Sequence, residues 1–300
     1  MKRTFLFVVT NIAVMLVLAV VFHVVCSLTG VSTAALERDY GINYLSLAIF
    51  AMVFGMGGAM ISLLMSKQMA KWSVKAQVIT GDEGPAERWL VETVRDLSQR
   101  AGVKMPEVAI YQGAANAFAT GAFKNSALVA VSTDIMRQMT KEELRAVLGH
   151  EMSHVANGDM VTMTLLQGVL NAVVLFLSRV LGLVADSALS GGKGNRRRGG
   201  GVGYFLVYMV CQTVLGLLAS MVVMAFSRRR EYAADAGSAD LLGSPQSMIS
   251  ALRRLGNLQP GVLPNSLKAM GIGGNMKTLL ASQPPLEERI EALQRWSPEV

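Results

Sequence analysis

Cysteine, histidine and charge are all scarce in this chain of 300 residues. It has two cysteines, three histidines and only 16% charged residues, where an ordinary soluble domain carries about 25% charge. Cys26 and Cys211 both fall within apolar segments, so no disulfide framework is expected and each reads as a small core residue without a disulfide partner. Also missing is any basic helix interleaved with aromatics, and any nucleic-acid recognition motif. The formal net charge of +7 therefore points to membrane topology and anionic headgroups, with no nucleic acid among the partners. Tight repeats are absent, and the one biased stretch, at 191–203, reads as a flexible Gly/Arg-rich loop.

Long apolar runs are what the chain has in abundance, with 52% hydrophobic residues. Phe5 to Leu28 and Tyr44 to Met65 each reach the ~20 residues that cross a bilayer. The first run is longer than the roughly 7–15-residue apolar core of a signal peptide, so it reads as a retained anchor. Lys2 and Arg3 precede it, and Lys67, Lys71 and Lys75 follow the second run, while Glu37, Arg38 and Asp39 lie between. By the positive-inside rule, the N-terminus and everything after Met65 face the cytoplasm. Two further runs, Met160 to Val184 and Gly203 to Phe226, must go out and return together. Lys193 and Arg196 to Arg198 oppose translocation of the loop between them, and Gln167, Asn171 and Arg179 interrupt the first run. Two full spans and a re-entrant or tilted hairpin both remain open.

Between these runs the sequence reads as water-soluble. Pro85 to Ala101 places Trp89, Leu90, Val94 and Leu97 at helical spacing and stops at Gly102. Glu107 to Gln112, Asn116 to Ala122 and Ala127 to Ser132 are short apolar runs that suit a small sheet. Thr140 and Glu143 form a capping box, which predicts a helix starting there. A helix is expected over Leu241 to Pro260, with Ser244 as cap and Pro245 at its first position, and an amphipathic helix from Pro284 or Pro285 ends the chain. Four blocks follow: a two-helix membrane anchor over 1–66, the first part of a catalytic domain over 67–160, a hydrophobic hairpin over 161–226, and the second part of the catalytic domain over 227–300. The fold class is mainly α, of α+β type.

The helix opened by Thr140 carries GHEMSHVANGD, Gly149 to Asp159. Positions i and i+4 lie about 40° apart around a helix and about 6 Å along it, so His150 and His154 can both aim a nitrogen at one ion. Glu151 points about 100° away from His150, where a carboxylate reaches a water held by the metal and acts as general base. A chance H-E-x-x-H match in such a chain arises on the order of once in a thousand. A third ligand must come from elsewhere. His23 lies in the first apolar run, and Asn157 and Met160 occupy the glycine and final histidine positions of the extended H-E-x-x-H-x-x-G-x-x-H motif. A carboxylate is then expected, and Glu231 and Asp235, four apart, share one helical face. In one reading Glu231 ligates and Asp235 accepts the other N–H of a ligand histidine. In the other, both form a solvated acidic face paired with Arg228 to Arg230.

H-E-M-S-H followed by A-N-G-D, the upstream N-A-F-A-T-G (Asn116 to Gly121), E-Y-A-A-D and P-P-L-E-E-R-I (Pro284 to Ile290) stand in the order found in HtpX-type membrane-bound zinc metalloproteases, relatives of the CAAX prenyl proteases. The chain resembles that family over nearly its whole length. The resemblance implies a zincin-like (gluzincin) catalytic domain with a small sheet, fused to N-terminal transmembrane helices and the central hairpin. It implies one Zn2+ per chain on His150, His154 and Glu231, and Glu151 as catalytic base. It implies a strand at Asn116 bordering the cleft, where an extended substrate adds through main-chain hydrogen bonds; without the resemblance N-A-F-A-T-G is an ordinary small-residue strand. The implied role is endopeptidase cleavage of misfolded or damaged membrane proteins, at the cytoplasmic face of the bacterial inner membrane, in quality control and stress response. One position departs from the family: Gln283 stands where a histidine usually precedes the double proline, and it can donate an N–H but carries no charge. Arg289 matches a family arginine that orients the cleft carboxylates, or is one charge on an amphipathic helix. The second functional class is a zinc-binding membrane protein with an impaired site that binds partners or unfolded chains. Glu151 speaks for the enzyme, Gln283 for the alternative.

Overall fold

A computed structural model describes residues 43–189, 201–257 and 282–297, with separate positions between 16 and 37. Lys2 and Arg3, much of the Phe5 to Leu28 run, most of the 191–203 loop and the last residues of the helix expected up to Pro260 lie outside the described residues. In chain order the elements are α1 (Tyr44–Val74), β1 (Gln77–Ile79), α2 (Pro85–Arg100), β2 (Glu107–Tyr111), β3 (Ala117–Thr120), β4 (Leu128–Ser132), α3 (Thr133–Gln138), α4 (Lys141–Asn157), α5 (Asp159–Leu189), α6 (Val202–Leu242), α7 (Gln246–Asn257) and α8 (Leu286–Gln294). The chain divides into two units, Met1–Ile61 with Thr164–Val223, and Ser62–Met163 with Met224–Val300.

The first unit is built from apolar helices. Tyr44–Val74, Asp159–Asp186 and Val202–Leu242 are each long and apolar enough to cross a membrane. Each of the two runs after Asp159 is one unbroken helix. Within this unit α1 and α5 approach closely at small residues: a Cβ on Gly55 would stand 2.4 Å from the backbone nitrogen of Ala172, the close contact that glycine permits between membrane helices. Leu47, Ala51, Phe176 and Val180 are buried at this crossing. In contrast, Phe205, Leu206, Val210, Val214, Leu217 and Val222 of α6 are all exposed. An apolar surface of this extent is what a helix presents to lipid.

The second unit is a four-stranded sheet, ordered β1-β2-β4-β3, with helices on it. β2 and β4 are parallel, and β1 and β3 flank them antiparallel. Side chains alternate across the strands, as the two-residue period of a strand requires. Val108, Ala117, Ala119, Val129 and Val131 join the main core with Leu90, Val94 and Leu97 of α2, Leu148 and Met152 of α4, and Met248 and Leu252 of α7. Ala109, Tyr111, Phe118, Leu128 and Ala130 turn to the other face, which Ala70 of α1 covers. That contact explains why α1 runs past the apolar boundary at Met65: Lys67 and Lys71 pair with Glu107, and the helix ends only after Ala70 is buried. Gly121 (φ 145°) starts the β3–β4 turn, where a Cβ would meet the Ser126 carbonyl at 2.5 Å.

The three predicted strands and the helices at Pro85, Thr140 and Ser244 are present with small shifts at their ends. Two elements lacked a sequence signal strong enough to predict them. β1 has three residues and no apolar alternation, and α3 is a short helix capped by Ser132, whose hydroxyl accepts from the Ile135 amide. The last helix begins at Leu286, with Pro285 outside it as the cap.

The capping box of α4 is complete: Thr140 Oγ1 accepts from the Glu143 amide at 3.2 Å, and Glu143 Oε2 accepts from the Thr140 amide at 2.9 Å. The Ser250 hydroxyl of α7 donates to the other oxygen at 2.8 Å. Burial alone would raise the Glu143 pKa, but the Thr140 amide, Ser250 and Arg254 together hold it below the usual carboxylate range. A depressed carboxyl stabilises the fold above its unfolded pKa, and this is lost as pH falls through the folded value. Thr140→Ala is expected to cost about 1 kcal/mol at pH 7. Glu143→Ala should destabilise at pH 7 by an amount that shrinks as pH drops below the ordinary glutamate range. Thermal unfolding of the detergent-solubilised chain measures both; a pH-independent Glu143→Ala effect would contradict the assignment.

Candidate metalloprotease site

In the second unit, α4 and the part of α6 from Met224 onward supply the site. α4 presents His150, Glu151 and His154, all buried, and ends at Gly158, whose left-handed conformation (φ 68°) lets its amide return to the His154 and Val155 carbonyls. α6 presents Glu231 and Asp235. The two helices meet through a reciprocal exchange of small residues. A Cβ on Gly149 would stand 2.8 Å from Ser238 Oγ, and one on Gly237 would stand 2.5 Å from Ser153 Oγ and 2.9 Å from its Cβ. Ser238 Oγ also donates to the Ala146 carbonyl at 2.7 Å. Side chains any larger would hold the helices apart.

This contact brings Glu231 to the histidines. Nε2 of His150 and Nε2 of His154 are 3.2 Å apart; the first lies 3.5 Å from Glu231 Oε2 and the second 3.5 Å from Glu231 Oε1. Ligands about 2.1 Å from an ion at tetrahedral angles stand about 3.4 Å from one another. The three separations are close to that spacing, with the Glu231 carboxylate straddling the histidine pair, and one ligand atom from each of the three residues lies within 4.8 Å of the others. Glu231 Oε2 is moreover buried without a hydrogen-bond donor, so the donor set fits a divalent cation and leaves its own polar atoms unsatisfied otherwise.

Around this triangle lies a ring of opposite charges. Asp235 Oδ1 lies 2.9 Å from His150 Nδ1, though off the line of an ideal N–H bond. Arg289 is fully buried and grips Asp235 with two hydrogen bonds, at 2.7 and 2.6 Å, while a third nitrogen lies 3.5 Å from Glu231. Asp159 Oδ2 is 2.6 Å from His154 Nδ1 and 3.1 Å from Arg230 Nε. Burial would lower both histidine pKa values, but Asp235 and Glu231 raise that of His150, and Asp159 and Glu231 raise that of His154 to about 9. For Glu231, burial acts upward and is overcome by the two histidines, which hold it well below the usual carboxylate range. Asp235 is likewise raised by burial and pulled below its ordinary value by Arg289.

Glu151 stands outside this pairing. Burial, only partly offset by the histidines, pushes its carboxyl up to about 7. Its Oε2 accepts the Ala119 amide of β3 at 2.7 Å. β3 is an edge strand, and the Asn116 carbonyl faces β4, where it accepts the Ser132 amide. By alternation the Ala119 amide, three residues on, points away from β4 and toward Glu151. Among the residues singled out from sequence, His150, Glu151, His154, Glu231, Asp235 and Arg289 are therefore together. Asn116 is buried at the start of β3, with its amide on Ser132 Oγ, and Gln283 is buried in the segment leading to α8. Sequence reasoning missed Asp159, Arg230 and the Gly149, Ser153, Gly237 and Ser238 quartet. For the quartet the only signals were small residues four apart in α4 and the A-G-S-A run at Ala236 to Ala239, whereas Asp159 closes the A-N-G-D motif and Arg230 belongs to the arginine run before Glu231.

Helix-borne histidines facing a glutamate from a second helix, with a further glutamate held against an edge strand, define the zincin-like class of metalloprotease. Comparison with known proteins narrows this. Residues 85–297 match peptidase family M48, and the chain belongs to that family. It is 55% identical to a protease HtpX homolog of Herminiimonas arsenicoxydans over 98% of this chain and 99% of that one. It is 56% identical to one of Verminephrobacter eiseniae (strain EF01-2), with 98% of each chain covered. In three dimensions it is similar to the crystal structure of S. mikatae Ste24p, with a TM-score of 0.59 and 19% identity; the match covers 96% of this chain and spans 66% of that one. The chain is a membrane metalloprotease.

With its pKa pushed up to about 9, His154 carries a proton at neutral pH that a metal must displace, so binding releases it and weakens about tenfold for each unit by which the pH falls. Calorimetric titration at pH 7 in buffers of different ionisation enthalpy should detect that release; zero release would contradict the pairing described. Asp159→Asn should weaken metal binding by about 10- to 100-fold through loss of the His154 orientation. Gly237→Val should lower metal stoichiometry in the folded protein, as overpacking by about 1–3 kcal/mol forces α6 away from α4. Wild-type affinity in either variant would show the contact to be dispensable.

Proposed function

We propose that the chain is a zinc endopeptidase that cleaves misfolded or damaged membrane proteins at the cytoplasmic face of the bacterial inner membrane, in protein quality control and the stress response. The carrying observation is the triangle of His150, His154 and Glu231, whose edges suit a tetrahedral ion with one position left open for chemistry. His150, His154 and Glu231 hold the zinc; Asp235 and Asp159 fix the rings from their far nitrogens, and Arg289 fixes Asp235. When bound, the metal supplies a Lewis acid that polarises the scissile carbonyl and acidifies a neighbouring water.

Glu151 takes the proton of the attacking water and returns it to the departing amine nitrogen. A carboxyl poised at about 7 both accepts and donates near neutral pH. The Ala119 amide keeps one of its oxygens fixed. An extended substrate lies along the outer edge of β3, where the backbone groups turned away from β4 offer strand-like hydrogen bonds. The cytoplasmic orientation rests on Lys67, Lys71 and Lys75, which follow the apolar part of α1.

Glu151→Gln should leave the zinc content unchanged, by elemental analysis, and reduce cleavage of a membrane-protein substrate in detergent by at least about 10²-fold. Glu231→Ala should reduce the zinc content itself. Undiminished cleavage by zinc-loaded Glu151→Gln, or full zinc in Glu231→Ala, would overturn the respective assignment.

A further inference from the structure

Within the first unit, α5 and α6, with Phe54 of α1, line an open cavity of about 470 Å³ whose walls are part polar and part apolar. Gln167 and Asn171 come from α5, and Gln212, Thr213 and Ser220 from α6, all inside helices apolar enough to span a membrane. Each lies at least eight residues from the nearer end of its helix, about 12 Å along the axis. Polar side chains at such depth face protein or water and mark functional surfaces. Thr213 and Ser220 satisfy their hydroxyls on backbone carbonyls one turn earlier, and Gln167 donates to Asn171 at 2.8 Å. Gln212 differs: its Oε1 is buried without a donor. Gly216 also lines the cavity, and a Cβ there would meet nothing within 4 Å.

From this we infer that the cavity is a docking site for a membrane-embedded polypeptide segment, which inserts a hydrogen-bond-donating side chain such as Ser, Thr, Asn or Gln. An acyl chain has no donor and leaves Gln212 unsatisfied in a medium where that is costly. A helix is about 10–12 Å wide, so a space of this size receives side chains from the face of a neighbouring segment. The exposed Val210, Val214 and Leu217 on α6 offer that segment an apolar bed. The inference rests on the protease reading, with the membrane-protein substrate as occupant.

The test has two arms, each on the full-length chain in lipid nanodiscs. In the first, a photoreactive phenylalanine analogue replaces Leu217 in the Glu151→Gln background, where trapping needs no turnover. Mass spectrometry should locate its adduct in the membrane segment of a single-span substrate, and Gly216→Leu should reduce the yield about tenfold by filling the space. The second arm compares kcat/KM for substrates whose membrane segment carries either Asn or Leu at one central position. The native chain should favour Asn about three- to tenfold, and Gln212→Leu should remove that preference. No adduct, or an Asn preference unchanged by Gln212→Leu, would mean that the cavity holds only water, and would overturn the inference. Loss of all cleavage in the native chain with the adduct intact would instead count against the protease reading alone.

Discussion

The interlocked glycines and serines of α4 and α6 are the contact on which the site depends. His150 and His154 are placed by one helix alone, because four residues of helix carry both rings to the same side. Glu231 sits on another helix, about 80 residues away in sequence, and is nevertheless brought beside both rings. Gly149 against Ser238 and Ser153 against Gly237 bring the helix axes close enough for this, and Ser238 reaches across to the Ala146 carbonyl to hold the register. The separations among the three donor groups are consequences of that packing.

Burying this many charges calls for compensation close at hand. Glu231, Asp235 and Asp159 are all buried, as are His150, His154 and Arg289. Isolated, any of them would be expensive in such surroundings. Their arrangement alternates in sign: Arg289 faces Asp235, Asp235 faces His150, both histidines face Glu231, and Asp159 faces His154 and Arg230. Glu151 bonds to the Ala119 amide instead, and the charges of His150 and His154 offset its burial only in part, so its carboxyl is lifted toward neutrality. A carboxyl poised near neutrality thus arises from its position outside the ion pairs that hold its neighbours ionised.

The resemblance and the structure meet unevenly across the chain. The family relationship and the mixed α+β class were legible from motifs, as was the capped helix bearing the histidines, since Thr140 and Glu143 mark its start and Gly158 its end. The spacing of Glu231 and Asp235 suggested either a ligand pair or a solvated acidic face; both residues are in fact buried, with Arg289 from the last helix against them, which removes the solvated alternative. That arginine was equally readable as one surface charge on an amphipathic helix. Gln283, which the resemblance marked as a departure from the family pattern, is a polar residue held inside the fold. Each of the two runs after Asp159, left open as spans or a re-entrant turn, is a continuous helix, because polar residues such as Gln167 and Asn171 bond to each other along the helix without breaking it.

Sequence by itself determined whatever depends on neighbours along the chain: helix starts, the two-residue alternation of the strands, the lengths of the apolar runs, and the pairing of His150 with His154. Those properties follow from backbone geometry and local hydrogen bonds, which act over a few residues. Only the tertiary structure decided that Glu231 joins the histidines, that Asp159 and Arg230 steady His154, that Ala119 holds Glu151, and that Arg289 is buried. Each of these is a meeting between distant segments, fixed by how closely two helices or a helix and a sheet edge can pack. A small residue's role in such a contact lies in the space it leaves, and that space exists only after the partner helix has docked.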